Sequence, residues 1–214
     1  MYNSSKKLRY IEYIPVKLYR YSELIWLERS LRLGEFRLRP ATDYRNFEGD
    51  IARQDDELVR VNTSPASAVI ITNLTTGETH KPDSDVTYRS EIRTNYLAMC
   101  FSYRWDEKLF DEFHGTDACL VIHSYEEFSE RIHVAAEAVL PNWVGHDAPV
   151  VYGGRSEYGT VFSKPARFIT QHEWRFAWGP PMPVKYIDPI KICIGNIQNI
   201  AEIVKRPRYE PVNS

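Results

Sequence analysis

The sequence predicts a single α+β domain, with mixed or antiparallel split sheets and flanking helices. Three observations favour this fold class. Apolar and β-branched runs typical of strands dominate the 214 residues, helix-like segments are interspersed irregularly, and the regular strand–helix alternation of parallel α/β proteins is absent. The chain is also long enough to bury one core. We expect one domain over 1–214, with flexible ends at 1–14 and 205–214.

The first elements are predicted by short patterns. A strand follows Pro15 in the segment VKLYRY, and Ser22 fits as the N-cap of a helix over 23–33. Gly34 fits as the C-terminal stop of that helix. EFRLRP then alternates between apolar and arginine side chains, as a half-buried strand does.

The rest of the chain predicts a series of strands with a few helices. A polar segment over 41–61 is expected to contain a short helix at 55–59, and a hairpin over 67–82 to turn at 75–77. Next come a buried strand over 95–103, a short helix over 104–113, a strand over 117–124 and a helix that opens with a capping box at Ser124 and Glu127 and runs to 138. The last expected elements are strands in PVVYGG, FSKPARFI and HEWRFAW, a strand over 189–195 and a closing helix over 196–205.

The composition is that of an ordinary soluble protein. Hydrophobic residues make up 43% of the chain, charged residues make up 26%, and the formal net charge is −2. This balance does not indicate nucleic-acid binding, which would need a local basic patch. The N-terminus lacks the apolar core of a signal peptide, and no apolar run reaches the length of a membrane span. We therefore expect a cytoplasmic protein with no membrane partner.

Several kinds of site are not predicted. Cys100, Cys119 and Cys193 form no CxxC pair, and each lies in an apolar run, which favours a small buried side chain in a reducing compartment. The six histidines lack metal-ligand spacing, so no metal site is expected. No phosphate-binding or nucleophile-elbow motif is present, and the GGRS turn at 153–156 is only a weak phosphate-loop candidate.

The segment PARFITQHEWRFAW carries the most chemistry. Read as one strand, it places Gln171, Glu173 and Arg175 on one face and bulky apolar residues on the other. An amide, a carboxylate and a guanidinium would then lie together in a cleft. The alternative is a solvated pair between Glu173 and Arg175, which would contribute about 0–1 kcal/mol.

A Gln-x-Glu pair at the start of a strand resembles the Arg-Ser-Glu class of mono-ADP-ribosyltransferases. The other parts of that pattern occur in the same chain order, with Arg20 in KLYRYSE and Ser102 in AMCFSYR. The set LYRY, CFS and EWR also resembles an uncharacterised bacterial family. Where the transferases commonly have Ser-Thr-Ser, this chain has Phe101-Ser102-Tyr103.

The resemblance implies an ADP-ribosyltransferase-like fold and NAD as the substrate. It also implies a macromolecular acceptor, protein or nucleic acid, and a bacterial toxin or phage-defence setting in which a neutralising partner is expected. Breaking the nicotinamide–ribose bond develops positive charge on the sugar, which a carboxylate stabilises. The implied roles are catalysis for Glu173, acceptor contact for Gln171, pyrophosphate or ribose binding for Arg20, ribose binding for Ser102, and stacking on nicotinamide for Tyr21, Tyr44 or Tyr103.

Two other functions stay open from the sequence. His114 or His172, with a lysine or arginine, would suit a metal-independent ribonuclease. The fold could also serve as a binding module without catalysis. The arginines near 37–45, with Tyr44, indicate either a basic face for NAD phosphates or nucleic acid, or a solvated strand face.

Overall fold

The computed structural model describes residues 15–46 and 56–207. The strands are β1 (Leu18–Ser22), β2 (Glu35–Pro40), β3 (Val59–Ser64), β4 (Ile71–Thr72), β5 (Thr79–His80), β6 (Val86–Glu91), β7 (Leu97–Ser102), β8 (Ala118–Ile122), β9 (Val144–Pro149), β10 (Val151–Tyr152), β11 (Ser163–Lys164), β12 (Glu173–Gly179), β13 (Ile190–Cys193) and β14 (Ala201–Lys205). The helices are α1 (Leu24–Leu33), α2 (Leu109–Glu112) and α3 (Tyr125–Val139), with 3₁₀ turns at Ala41–Asn46, Ala66–Ala68, Thr160–Phe162 and Ala166–Gln171.

The predicted fold class is confirmed, because the described chain is mixed α+β with mostly antiparallel, split sheets. Six strands follow the order β13-β2-β7-β1-β8-β14, and β12 and β9 join this sheet through β7. The pairs β3–β6, β4–β5 and β10–β11 form three small sheets. Of the helices in the described ranges, none is long and apolar enough to cross a membrane.

The main sheet splits at β7. Along one edge, β7 pairs over its whole length with β12, from Ser102 opposite Glu173 to Leu97 opposite Trp178. Along its other edge, β7 pairs with β1 only at Ser102. It pairs with β2 only at Leu97 and Ala98, the first two residues of β7. Residues 99–101 therefore pair with β12 alone among the described strands. Since β1 and β2 diverge over the middle of β7, an opening remains between them.

The main apolar cluster lies on one face of this sheet. Successive side chains of β12 point to opposite faces, and Trp174, Phe176 and Trp178 all belong to the main apolar cluster. Phe101 of β7 and Phe128 of α3 meet edge to face in the same cluster, with ring centroids 5.3 Å apart. The opposite face of β12 therefore carries Glu173 and Arg175, which are also buried.

Two early predictions are confirmed by backbone geometry. Gly34 ends α1 in the left-handed region, with φ 65°. The hairpin forms between β4 and β5, with Gly77 at φ 75° in its turn. The first helix begins one residue later than predicted, since Ser22 is still in β1 and Glu23 is the N-cap. The carboxylate of Asp117 instead accepts a 2.6 Å hydrogen bond from the backbone N–H of Leu24.

The closing helix predicted over 196–205 is wrong. Residues Ala201–Lys205 form β14, which pairs antiparallel with all five residues of β8. Ile203 and Val204 favour a strand, and the open edge of β8 supplies the pairing that a single-sequence pattern does not reveal. Lys205 is thus part of a strand rather than of a flexible end. The rest of the ends expected to be flexible lies outside the described residues, apart from 206–207.

The long strand predicted across PARFITQHEWRFAW is also wrong in its first half. Pro165 is followed by a 3₁₀ turn over Ala166–Gln171, His172 adopts a left-handed φ of 42°, and β12 begins only at Glu173. The ring of Pro165 removes a backbone donor and restricts the chain, which favours a turn there. Gln171 and Glu173 therefore do not meet through strand alternation.

Other differences are smaller. The helix expected over 104–113 is confined to Leu109–Glu112, and 56–58 form a turn into β3 rather than a helix. Strands β3, β6 and β9 were not predicted. Cys119 is buried as expected, whereas Cys100 is half-buried and Cys193 is exposed. The N-cap side chain of Ser124 makes no bond to the turn it caps, so the capping box does not form.

A half-buried carboxylate joins α3 to the sheet. Asp147 of β9 accepts hydrogen bonds from the Tyr125 hydroxyl at 2.5 Å, Trp174 Nε1 at 2.8 Å and Ser129 Oγ at 3.2 Å, and it lies 2.7 Å from His133 Nε2. Burial raises the pKa of Asp147, but its bonds to His133, Tyr125 and Trp174 outweigh burial and keep that pKa below its ordinary value.

We expect Asp147 to stabilise the fold in a pH-dependent way. Its pKa is lower folded than unfolded, so its contribution is present above the unfolded pKa and is lost as pH falls through the acidic range. Asp147→Asn should lower the free energy of unfolding at pH 7 by about 1–3 kcal/mol, with a smaller loss at pH 3. Urea unfolding at both pH values measures this. Asp188→Asn, at an exposed site, is the control, and equal losses at both pH values would contradict the assignment.

Candidate functional site

A cavity of about 320 Å³ lies at the opening between β1 and β2. Its floor is the middle of β7, and its far wall comes from the start of β12 and from β11. Five of the six site residues that the sequence predicts line it. These are Arg20, Tyr21, Ser102, Gln171 and Glu173. The fold thus gathers residues from three separate segments of the chain at one place.

The sixth predicted residue, Tyr103, lies elsewhere. It follows Ser102 directly, and neighbouring residues of an extended chain point to opposite sides. Tyr103 packs edge to face on His172, with ring centroids 5.6 Å apart, and lines a separate shallow pocket with Arg104 and Pro149. Of the three tyrosines considered for stacking on nicotinamide, Tyr21 and Tyr44 line the main cavity and Tyr103 does not.

Glu173 is held by two cations. Its side chain is buried, Oε1 accepts from Arg175 Nε at 2.7 Å, and Oε2 accepts from Lys164 Nζ at 2.8 Å. Burial raises the pKa of Glu173, but the charges of Arg175 and Lys164 outweigh burial and hold that pKa far below its usual range. Glu173 is therefore a fixed, ionised carboxylate. The pair with Arg175 does form, but it is buried rather than solvated.

Arg175 continues this network away from the cavity. It is 1% exposed and contacts both carboxylate oxygens of Glu57, at 2.5 and 2.9 Å. Glu57 is also within 3.2 Å of both Arg60 Nη2 and the Tyr96 hydroxyl. Two carboxylates thus share the cluster with three cations, namely Arg175, Arg60 and Lys164.

Lys164 is the residue of this site that the sequence analysis missed. Its ammonium group donates to Gln171 Oε1 at 2.9 Å as well as to Glu173, and so joins the two predicted catalytic residues. Burial lowers the pKa of Lys164, but the nearby charges of Glu173 and Glu57 raise it above its ordinary value, so the side chain stays charged. One lysine within FSKP carries no pattern that predicts burial.

Arg20 reaches across the opening in the sheet. Its Nη1 donates to the backbone carbonyl of Cys100 at 3.3 Å, and its guanidinium lies over the Phe101 ring, 5.3 Å from the centroid. Ser102 is committed locally: its hydroxyl donates to the carbonyl of Arg104 at 2.6 Å and accepts from the Arg104 N–H at 3.1 Å. Ser102 can therefore offer a ligand only an acceptor lone pair in this arrangement.

Cys100 does not provide a nucleophile. Burial, followed by the charge of Glu173, raises the pKa of its thiol to about 12, so the reactive thiolate is scarce at neutral pH. Its Sγ lies 3.9 Å from the Tyr44 hydroxyl. Tyr21 is likewise engaged, since its hydroxyl accepts from the Asp106 N–H at 3.0 Å.

The remaining sequence candidates lie away from the cavity. No histidine is among the described residues that line it: His172 belongs to the shallow pocket of Tyr103, and His114 is exposed. In the GGRS turn, the N–H of Gly153 donates to the Lys164 carbonyl and the N–H of Ser156 donates to Ser163 Oγ, so neither is available to a phosphate. Within the described ranges, no group of three or more metal-ligating side chains could hold a metal ion.

Comparisons of the chain with known proteins identify no relative. No protein family, no curated protein and no solved structure matches the chain. The resemblance to ADP-ribosyltransferases therefore depends on the quoted motifs and on the cavity that they line.

Proposed function

We propose that this protein is a mono-ADP-ribosyltransferase that takes ADP-ribose from NAD and acts on a macromolecule. One observation carries the proposal: Arg20, Ser102, Gln171 and Glu173, which the Arg-Ser-Glu pattern requires in this order, line a single cavity where the sheet splits. The ADP-ribosyltransferase-like fold, a cytoplasmic toxin or phage-defence role and a neutralising partner belong to the same proposal and rest on the resemblance.

The cavity suits an anionic, ring-bearing ligand. Its volume of about 320 Å³ lies within the range for small-molecule sites. Arginines 20 and 39 offer forked donors to a pyrophosphate, while Tyr21 and Tyr44 contribute aromatic surface beside the carboxylate. In this arrangement, the nicotinamide ribose lies against Glu173 and the pyrophosphate against the arginines.

The environment of Glu173 favours electrostatic catalysis over proton abstraction. When the bond between ribose C1′ and nicotinamide breaks, both electrons leave with nicotinamide and positive charge develops on the sugar. A carboxylate fixed by Arg175 and Lys164 stabilises that charge without having to reorganise. The carboxylate accepts from Arg175, Lys164 and the Cys100 thiol and still retains a lone pair with which to accept the ribose 2′-hydroxyl. Because its pKa is so low, Glu173 is a weak base.

Nicotinamide release tests the proposal. Glu173→Gln keeps the shape of the side chain but removes its charge, so we expect release from NAD to fall by about 10²–10³-fold, as for the loss of one transition-state contact. The measurement is nicotinamide released from NAD by purified protein, with and without cell lysate. Dependence of release on lysate would indicate transfer rather than hydrolysis.

Glu57→Gln is the matched control. Glu57 is equally buried and pairs with the same Arg175, but it does not line the cavity. Both variants should lose stability, and only Glu173→Gln should lose nicotinamide release at a temperature where both are folded. Equal activity in the two variants, or wild-type protein that neither binds nor cleaves NAD, would overturn the proposal in favour of a binding module.

A further inference from the structure

A second cavity of about 350 Å³ continues from the first, along α1 and β2. We call it the basic groove, and it is lined by Arg20, Trp26, Arg29, Arg37, Arg39 and Lys191, with Glu35 as its carboxylate. Arg20, Trp26, Arg37 and Arg39 line both cavities, so the two spaces are continuous. A molecule bound in the basic groove would thus extend towards Glu173.

The groove is strongly positive although the chain as a whole has a net charge of −2. Among the described residues, five cations line it against one carboxylate. Glu35 is already neutralised, because Arg29 binds both of its oxygens at 2.7 and 2.8 Å. The groove is therefore the local basic patch that a polyanionic ligand requires.

Two of the cations lie directly opposite each other. Arg37 of β2 pairs in register with Lys191 of β13, and neither makes an ion pair or side-chain hydrogen bond to another described residue. Like charges placed opposite each other on neighbouring strands are destabilising. Arg39 lies two residues further along the same face of β2, about 6.6 Å away. Such a row of cations fits successive phosphates of an extended strand better than a single anion.

Trp26 gives the groove a flat apolar surface. It lies on α1 with 55% of its surface exposed, and no ring contact to another described residue is formed. An exposed tryptophan beside a row of cations is the arrangement with which proteins bind single-stranded nucleic acids, since one base stacks on the ring and the phosphates meet the cations. An acidic peptide would use the cations but leave the ring unused.

We propose that the acceptor is a single-stranded nucleic acid that lies in the basic groove, with a base stacked on Trp26 and phosphates at Arg37 and Lys191, while Arg39 faces the NAD pyrophosphate. This assignment rests on the proposed transferase function. A nitrogen or oxygen nucleophile of the bound strand would form a bond to ribose C1′ as the bond to nicotinamide breaks. Nicotinamide would leave with the electron pair, and the nucleophile would lose its proton to solvent.

Oligonucleotide binding tests this assignment separately from NAD cleavage. Fluorescence anisotropy with labelled 12-nucleotide RNA and DNA strands should show binding that weakens as salt rises. Lys191→Glu should weaken binding at least tenfold, because it reverses one charge of the groove, and Trp26→Ala should weaken it five- to 100-fold through lost stacking. Comparing the two strands tells whether RNA or DNA is the acceptor.

Lys81→Glu is the matched charge control, since Lys81 is exposed and lines neither cavity. It should bind as the wild type does. Lys81→Glu should also release nicotinamide into water as the wild type does. Equal binding by the Lys191 and Lys81 variants, no binding to either strand at low salt, or equal competition by polyglutamate would overturn the nucleic-acid assignment. Nicotinamide release reports on the transferase proposal whichever result is obtained.

Discussion

Replacing Arg175 with methionine is expected to lower the free energy of unfolding by about 3–5 kcal/mol, because it leaves two buried carboxylates without their shared cation. Arg175 is 1% exposed and contacts both Glu57 and Glu173. Methionine fills similar space, so the loss would come mainly from the broken ion pairs rather than from a cavity, with only Lys164 left beside Glu173 and only Arg60 beside Glu57. Urea unfolding at pH 7 measures the loss.

The expected loss depends on pH and on Glu57. The pKa of Glu173 should rise towards its ordinary value in the variant, so more acidic conditions should reduce the difference from the wild type. Adding Glu57→Gln to Arg175→Met should restore part of the stability, since it removes one of the two buried carboxylates that lost Arg175 as a partner. Arg93→Met, at an exposed arginine, serves as the control. A loss below about 1 kcal/mol would show that the cluster is solvated, as surface ion pairs are.

The fold was predictable where local chemistry decides the structure. Gly34 ends α1 because the backbone there adopts a positive φ, and the apolar run of 97–102 forms the central buried strand. The prediction was wrong where a residue or strand distant in sequence determines the local structure. Ala201–Lys205 becomes β14 because the edge of β8 is open to it, and the N-terminus of α1 is satisfied by Asp117, 93 residues away in sequence. Neither partner is visible in a local window.

The site was predicted only in part, because strand alternation, on which the prediction depended, explains only some of its contacts. Strand alternation does place Glu173 and Arg175 on one face, but Gln171 reaches them through a 3₁₀ turn and Lys164. Lys164 and Glu57 were missed because each is a single charged residue in a short, irregular segment. Only the three-dimensional arrangement shows that both are buried partners of the β12 carboxylate and guanidinium. Buried charges need partners of opposite charge, so the burial of Glu173 and Arg175 on β12 requires groups such as Lys164 and Glu57 beside them.

Gly34→Ala is expected to lower the free energy of unfolding by about 3 kcal/mol or more, combining a strained φ with steric overlap. A Cβ at Gly34 would lie 2.1 Å from the backbone oxygen of Gly195, a contact that only movement of the backbone can relieve. Gly34 joins α1 to β2, the two elements that border the basic groove. Any movement there should also widen the groove and weaken oligonucleotide binding.

Gly195→Ala separates the two effects. Gly195 has a similar φ of 76°, but a Cβ there would meet nothing within 4 Å. In Gly195→Ala, the free energy of unfolding should fall only by the cost of placing alanine at a positive φ, about 1–2 kcal/mol. The difference between the two variants in urea unfolding therefore measures the steric component alone. Equal losses would mean that the 194–196 loop moves away from Gly34 without penalty, and in that case the width of the groove would not be fixed by this contact.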